Sequence, residues 1–339
     1  MPQHWDALVH ASPDGWPFAL TAWRRIILSV TEWELEDHSF ALADEEGLSV
    51  VVPLQIDRRS GVLGITGWGG CGPIVADRLS GSARGAAING AFAQVDRIAR
   101  QIGAQALRFW LPTVTRSVLE EKAAVLDDSG FIDRSGVAQV IDLALDEAAL
   151  RSAVSETARQ TIRKAERTGI TVAQEPWSDL IDAYYETHRE NYARTGVTPH
   201  PRGYFEGIAT EMAPLGHSML WVARDRDGVP IAFHNDMQFG HGAWYHTGCS
   251  TAAALQNGAN YLLFWHAMLG AKVAGRRWYD CGEIFPNADD RKQKGLTLFK
   301  TRFGGAPRRF VKAEKIYRND AGRAVRAFHR LKQLAGLGR

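Results

Sequence analysis

Cysteine is scarce in this sequence: Cys71, Cys249 and Cys281 are the only three in 339 residues. They lie too far apart for a disulfide framework or for metal-ligand spacing, which points to a reducing compartment. The start, M-P-Q-H-W-D-A-L-V-H, has no basic segment followed by an apolar one, so no leader is expected and a cytoplasmic protein is. No apolar run approaches the roughly 20 residues that cross a bilayer. Nowhere do Ser, His and Asp, or Cys and His, follow an order that speaks for a covalent nucleophile, and catalysis through an acyl-enzyme is not expected.

What is present describes a folded chain. The 45% hydrophobic and 23% charged residues are those of a globular protein, and the length is enough for two domains with separate cores. A net charge of +2 hides an asymmetry: from Arg291 to Arg339 there are 15 Lys and Arg against 2 Asp and Glu, leaving the rest of the chain acidic. Such an end suits a polyanionic partner. It equally suits a solvated helical face, since Val325, Phe328, Leu331 and Leu334 form an apolar stripe among Arg323, Arg326, Arg330 and Lys332.

In chain order, a tryptophan-rich opening (Trp5, Trp16, Trp23, Trp33) carries a helical pattern from Phe18 to Val30, and these indoles are expected as core or interdomain anchors. F-A-L-A-D, the turn E-E-G and L-S-V-V-V-P-L-Q form a hairpin. A strand from Val62 to Trp68, the loop G-W-G-G-C-G-P, a helix from Ala83 to Ile102, the strand A-L-R-F-W-L-P, a helix from Val114 to Ser129 and the strand V-A-Q-V-I-D-L follow. The second half opens on a basic helix from Asp146 to Thr168 and the strand T-V-A-Q-E. It continues with helices at Ser178–Thr195 and Pro201–Met212, then the hairpin M-L-W-V-A-R-D and P-I-A-F-H-N-D-M. The strand G-A-W-Y-H-T-G, a helix from Ala252 to Val273 and the strand R-R-W-Y-D-C-G complete it.

The halves match element for element: strand, acidic-glycine turn, strand, then a third strand, a long helix ended by glycine and a strand carrying Trp110 or Trp278. A duplicated α/β unit with mixed sheets is the economical architecture. Its order of helices, meander, helix and strand is that of a GNAT acyltransferase fold. The expected division is an N-terminal GNAT-like domain over 1–145, a second over 146–318 and a basic helix over 319–339.

After the last of these strands comes G-L-T-L-F-K-T-R-F-G-G, residues 295–305. Leu296, Leu298, Phe299 and Phe303 describe a short helix with a buried face, with Gly304 as a left-handed stop. Lys300 then sits at the edge of that face, either as a stem snorkelling its head into water or as a fixed charge that stabilises an oxyanion.

The second half resembles the Fem family of aminoacyl-tRNA-dependent ligases and its GNAT-like relatives. The matching stretches are R-Q-T-I-R-K-A-E-R-T-G-I-T-V at 159–172, G-V-P-I-A-F at 228–233, A-W-Y-H-T-G-C-S at 243–250, N-G-A-N-Y-L-L-F-W-H-A-M at 257–268, W-Y-D-C-G at 278–282 and the 295–305 stretch. The first half matches through its W-R-R helix, its hairpin and C-G-P-I-V-A-D at 71–77. The resemblance implies tandem GNAT-like domains forming a cleft, where an amine attacks the ester of an aminoacyl-tRNA and lengthens a small peptide or nucleotide-linked acceptor. It places Phe299 and Lys300 at the family's Phe-Lys pair beside the ester, and Arg202, Tyr204, Tyr245 and Asp77 along the acceptor site. Arg291, Lys292, Lys294, Arg302, Arg308 and Arg309 become candidates for binding the tRNA. The family's acceptor-binding Lys on the first helix is absent, because Trp23 is followed by Arg24, Arg25 and Ile26. A long helical hairpin arm seen in some members also has no counterpart, so the usual cell-wall precursor is not the expected acceptor.

An ester donor is already activated, and an α-amine with a pKa near about 8 is partly neutral at cell pH. Charge on the tetrahedral oxyanion therefore matters more than a strong base. Asp280, Glu283, His234 and His246 are the candidate bases; in the alternative reading Asp280 is taken up by a loop or by Arg276, and the histidines by structure. Phe299 either walls the terminal adenosine or packs in the core. No cofactor is expected beyond the aminoacyl-tRNA co-substrate. A CoA-dependent N-acyltransferase is the alternative, but its R/Q-x-x-G-x-G/A loop would fall on L-Q-N-G-A-N at 255–260, where Leu255 and Asn260 depart from the pattern. A catalytically silent RNA-binding or scaffold protein is a third reading.

Overall fold

The computed structural model describes residues 2–65, 72–115 and 130–317. The first half holds α1 (Pro2–Ala11), α2 (Thr21–Ser29), β1 (Leu35–Asp37), β2 (Phe40–Asp44), β3 (Gly47–Val52), β4 (Gln55–Asp57), β5 (Val62–Ile65), β6 (Ile74–Val75), α3 (Gly81–Gln101), β7 (Ala106–Leu111), β8 (Ile132–Asp133) and β9 (Gly136–Asp142). Next come α4 (Glu147–Ala153), α5 (Glu156–Arg167), β10 (Thr171–Gln174), α6 (Ile181–Thr195), α7 (Arg202–Gly207), β11 (Ser218–Arg224), β12 (Pro230–Phe239) and β13 (Gly242–Ser250). The chain closes with α8 (Ala254–Asn257), α9 (Ala259–Val273), β14 (Trp278–Ile284), α10 (Arg291–Thr301) and β15 (Ala306–Ile316). The expected helix at 114–129 and the basic helix at 319–339 lie outside the described residues, apart from the first two positions of the former.

Among the described residues the main sheet has twelve strands, in the order β1-β4-β5-β7-β15-β9-β14-β13-β12-β11-β10, with β8 beside β15; β2, β3 and β6 form a separate sheet. The sheet is continuous because the halves exchange their last strands. β9, from the first half, pairs antiparallel with β14 (Trp278↔Asp142). β15, from the end of the second, pairs with β9 through Ala306–Phe310 and with β7 through Val311–Ile316. A division at 145/146 thus falls after a strand that belongs to the second half's sheet. β15 itself went unread in the sequence, and α10 is not an addition after a closing strand: it is the link between β14 and β15.

Local chemistry explains where continuous elements break. The strand expected over 48–55 is split at Pro53, which has no N–H for a ladder; β3 stays in the small sheet and β4 joins the large one. The helix expected from Asp146 to Thr168 is two helices. Val154 is extended, and Ser155 restarts the chain by accepting a hydrogen bond from Ala158 N, as Asp146 does from Ala149 N one helix earlier. The helix expected from Ala252 breaks at Gly258, φ +88°, where a Cβ would stand 2.9 Å from Thr161 O of α5.

Two apolar clusters form the interior, and one of them runs through both halves. Trp23 and Ile26 on α2 are buried. Trp23 meets Tyr204 of α7 edge-on at 5.8 Å, and Trp33 meets the same ring at 5.0 Å, so these indoles do anchor one half to the other. No helix among the described residues is long and apolar enough to cross a membrane.

Candidate active site

The two parallel strands β13 and β14 set the site. They pair only over Gly242–Trp244 and Trp278–Asp280, then run on to Ser250 and Ile284 without pairing each other. A β-bulge sits on each strand where they part. On β13, Asn235 faces Thr247 and Asp236 faces Tyr245, leaving His246 as the extra residue. On β14 the register to β9 shifts between Asp280 and Glu283, around Gly282 with φ +85°. Bulges of this kind re-aim side chains and end pairing, and the ends of parallel strands are where open α/β sheets hold ligands.

One side of the opening is a cleft of about 270 Å³, walled by His234, Tyr245, Phe264, Leu263, Leu296 and Phe299 among others. The Tyr245 and His234 rings meet at a tilt of 47°, with centroids 4.6 Å apart. Phe299 packs edge-on against Phe264 and Phe303, at 5.5 and 5.3 Å, and its remaining surface faces the cleft. The expected buried face of α10 is missing: none of its residues is buried, and the burial falls just past its end. Phe303 is 1% exposed, whereas Leu296 and Leu298 are 41% and 53% exposed.

Lys300 turns away from solvent. Its Nζ donates to the Glu283 carbonyl at 2.7 Å and lies 3.0 Å from where a Cβ on Gly282 would stand. Burial lowers its pKa, opposed by Cys281, Asp280 and Glu283. The snorkel is therefore excluded, because the head is fixed at the bulge of β14.

Asp280 is buried. Its Oδ2 accepts from Thr113 Oγ1 at 2.5 Å and its Oδ1 from Gly282 N at 2.7 Å, which holds the bulge in shape. Burial raises its pKa; the Thr113 and Gly282 hydrogen bonds and the Lys300 charge pull the other way. Arg276 bonds to Gln238 Oε1 and Gly240 O instead. Glu283 is half-buried with its pKa raised by burial, and among the described residues no donor reaches its carboxylate. His246 meets the Tyr204 hydroxyl at 2.6 Å, and burial lowers its pKa to about 3, so it is neutral. His234 Nε2 lies 2.7 Å from both Asp236 Oδ1 and Tyr279 OH. This buried trio went unread in the sequence, although the spacing H-N-D on β12 puts both side chains on one face.

The acceptor placements scatter. Tyr245 is in the cleft wall. Tyr204 is fully buried with its hydroxyl on His246; it is a core residue joining the halves. Arg202 is engaged at the surface by Asp182 and Glu206, both at 2.6 Å. Asp77 is exposed just past β6. Neither Arg202 nor Asp77 lines the cleft. Of the basic set, Arg291, Lys292 and Lys294 are exposed on α10. Arg302 donates to Tyr261 OH at 2.7 Å, Arg309 pairs with Asp133, and Arg308 lies 3.8 Å over the Trp278 ring.

Residues 152–291 match the family model described as acetyltransferase (GNAT) domain. A crystal structure of FemX superposes with a TM-score of 0.72 over 98% of this chain and 98% of that one, at 15% identity. The chain has the Fem-like tandem GNAT fold. The C-terminal domain of a putative lysylphosphatidylglycerol synthetase from Agrobacterium fabrum shares this Fem-like arrangement at TM-score 0.60 and 19% identity, with 96% and 94% of the two chains covered. A tandem GNAT protein from the clavulanic acid biosynthesis pathway matches at 0.53 and 13%, covering 85% of each. No curated protein matches the chain in sequence. Beside the splayed pair β13/β14, Phe299 is in the wall of the cleft, and Lys300, one residue on, is held at the bulge of β14.

Proposed function

We propose that the protein is an aminoacyltransferase that moves an amino acid from an aminoacyl-tRNA to the amine of a small peptide or nucleotide-linked acceptor, in peptide-antibiotic or cell-envelope precursor assembly. The observation that carries this reading is Lys300, a half-buried cation turned inward at the strand opening beside a wall that includes Phe299. The amine nitrogen attacks the ester carbonyl carbon, and the tetrahedral oxyanion meets the Lys300 ammonium. The carbon–ribose oxygen bond breaks, the amide forms, and the ribose oxygen takes up the proton that the amine gives up. Phe299 and Tyr245 wall the activated end of the donor, and the exposed Arg291, Lys292 and Lys294 lead its phosphates toward the site. Asp280 shapes the bulge that aims Lys300. The tRNA is a co-substrate and no cofactor is required.

A second reading, acyl transfer from CoA, draws on the GNAT domain match. Against it, the first amide of α9 is already taken: Ala259 N donates to Asn257 Oδ1 at 3.0 Å, so the helix start offers less to a pyrophosphate. A donor screen with the purified full chain separates the two. Transfer from charged tRNA that ribonuclease abolishes supports the proposal; transfer from acyl-CoA that survives ribonuclease sinks it.

A further inference from the structure

In the wall of the cleft of about 270 Å³ lies a polar group that the transfer step leaves unused. His234 on β12 lines the cleft, yet only 4% of its side chain is exposed, and the side chain of Asp236, two residues on, is fully buried. The Tyr279 hydroxyl, from β14, donates to Asp236 Oδ1 at 2.5 Å. His234 Nε2 lies 2.7 Å from that same carboxylate oxygen and from the Tyr279 oxygen. A carboxylate only accepts, and the phenol has already given its one proton, so Nε2 is the donor to both. The other ring nitrogen, Nδ1, is left with a lone pair. It has no partner among the described residues and is not one of the buried unpartnered atoms, so it opens onto the cleft.

The charge on this trio is poorly met. Asp236 Oδ2 is buried with no donor among the described residues, and a carboxylate so placed is stabilised by a positive charge nearby. No Lys, Arg, Asp or Glu is among the described residues that line the cleft, so the wall itself supplies no such charge. The rings of Tyr245 and Phe264 stand 4.6 and 5.2 Å from the imidazole, and aromatic faces attract cations where water is excluded. We propose that His234, held by Asp236 and Tyr279, is the subsite for the α-ammonium of the donor's amino acid: the ammonium donates to Nδ1, and Asp236 balances its charge through the imidazole. This amine makes no bond in the transfer; it is the handle by which the donor is recognised. The inference rests on the acyl-transfer reading and deepens it by naming the class of donor, an amino acid ester with a free α-amine and not a plain acyl group. His234 touches the donor, whereas Asp236 and Tyr279 are positioning residues that act through its ring. Two opposite charges then orient one aminoacyl group, Lys300 at the carbonyl oxygen and the trio at the α-nitrogen.

The test uses two fragments of the donor, alanylamino-deoxyadenosine and propionylamino-deoxyadenosine, in which an amide replaces the ester and which differ only in the α-ammonium. Each is titrated into the full-length protein by calorimetry at constant ionic strength. The alanyl compound is expected to bind about tenfold more tightly than the propionyl one. In His234→Gln that ratio falls to near one, with the propionyl affinity and the melting temperature unchanged; Asp236→Asn, which removes the charge and keeps the shape, lowers it as well. The ratio is the readout because a general loosening of the cleft weakens both ligands alike. Should a variant fail to fold, the wild-type ratio still decides. Equal binding of the two fragments by the wild-type protein, a ratio that both variants leave unchanged, or no saturable binding of the alanyl compound overturns the proposal. Neither fragment carries a tRNA body or CoA, so the outcome is separate from the ribonuclease experiment: the alanyl preference can hold in a protein whose donor proves to be an aminoacyl-CoA, and the donor can be tRNA while the two fragments bind alike.

Discussion

Among the described residues each half contains one parallel strand pair, and the two pairs behave differently. β5 and β7 stay in register through every described residue of β5, from Val62↔Ala106 to Ile65↔Phe109, with no bulge. β13 and β14 match for three residues and part at two bulges. Duplication produced two copies of the unit, but the strand opening, the half-buried cation and the aromatic wall all collect in the second. A strand pair can remain a structural rib or become a cleft according to where an extra residue is inserted, here His246 on one strand and the Cys281–Gly282 step on the other.

The contrast can be broken most severely at the strand exchange. Gly305 has φ +77°, and a Cβ there would stand 2.3 Å from Val140 O. Gly305→Ala should cost more than about 3 kcal/mol, from left-handed strain and a backbone collision together, seen as a large fall in the urea midpoint. Lys300→Ala should leave that midpoint near wild type but lower kcat by about 10²- to 10³-fold, the usual loss for one oxyanion donor; unchanged turnover would return the second half's cleft to the rank of the first. Gly282→Ala sharpens the point. A methyl group meeting Lys300 Nζ, with strain of about 1–2 kcal/mol, should reduce kcat roughly tenfold while KM for the donor holds.

A smaller effect concerns acid. Burial lowers His188 and His246 to about 3 and His200 to about 4 from 6.5. Their folded pKa values are depressed, so the unfolded chain binds protons first; this stability is present above pH 6.5 and is lost as pH falls toward 4 and 3. Melting temperature should therefore decline through that window, and less steeply in His188→Gln. Smallest is the surface term: Lys292→Ala with Lys294→Ala should raise KM for charged tRNA a few-fold, with a flatter salt dependence and kcat unchanged.

Much of the fold was legible because glycine and proline punctuate it. Gly169, Gly275 and Gly304 all have positive φ near where the sequence ends elements, and the E-E-G and R-D-G turns place both hairpins. The misses share one cause, which is that long-range pairing leaves little local trace. A-P-R-R-F-V-K-A-E-K-I has a mixed pattern because β15 has neighbours on both sides, β7 and β9, both encoded far upstream, which bury Phe310, Val311 and Ala313, while Glu314 pairs with Arg108 and Arg134. F-V-K-A was the one signal, and the surrounding charge concealed it. At the site, Lys300 and Phe299 were singled out through the motif. Their opposite orientations were not, since these depend on a bulge that no spacing announces. Tyr204 was misplaced because a buried tyrosine on a short helix has the same letters nearby as one facing a ligand.

The exchanged strands also set a timetable for the growing chain. β7 waits for a partner that is encoded about two hundred residues later, with Ala106 facing Ile316, so the first half cannot close its sheet until nearly the whole chain has left the ribosome. Until then the edges of β7 and β9 stand open, a long-range closure that is slow to form and exposed to wrong pairing. Neither half can be cut away as a working module, and the cleft of the second half comes into being only when the first is complete.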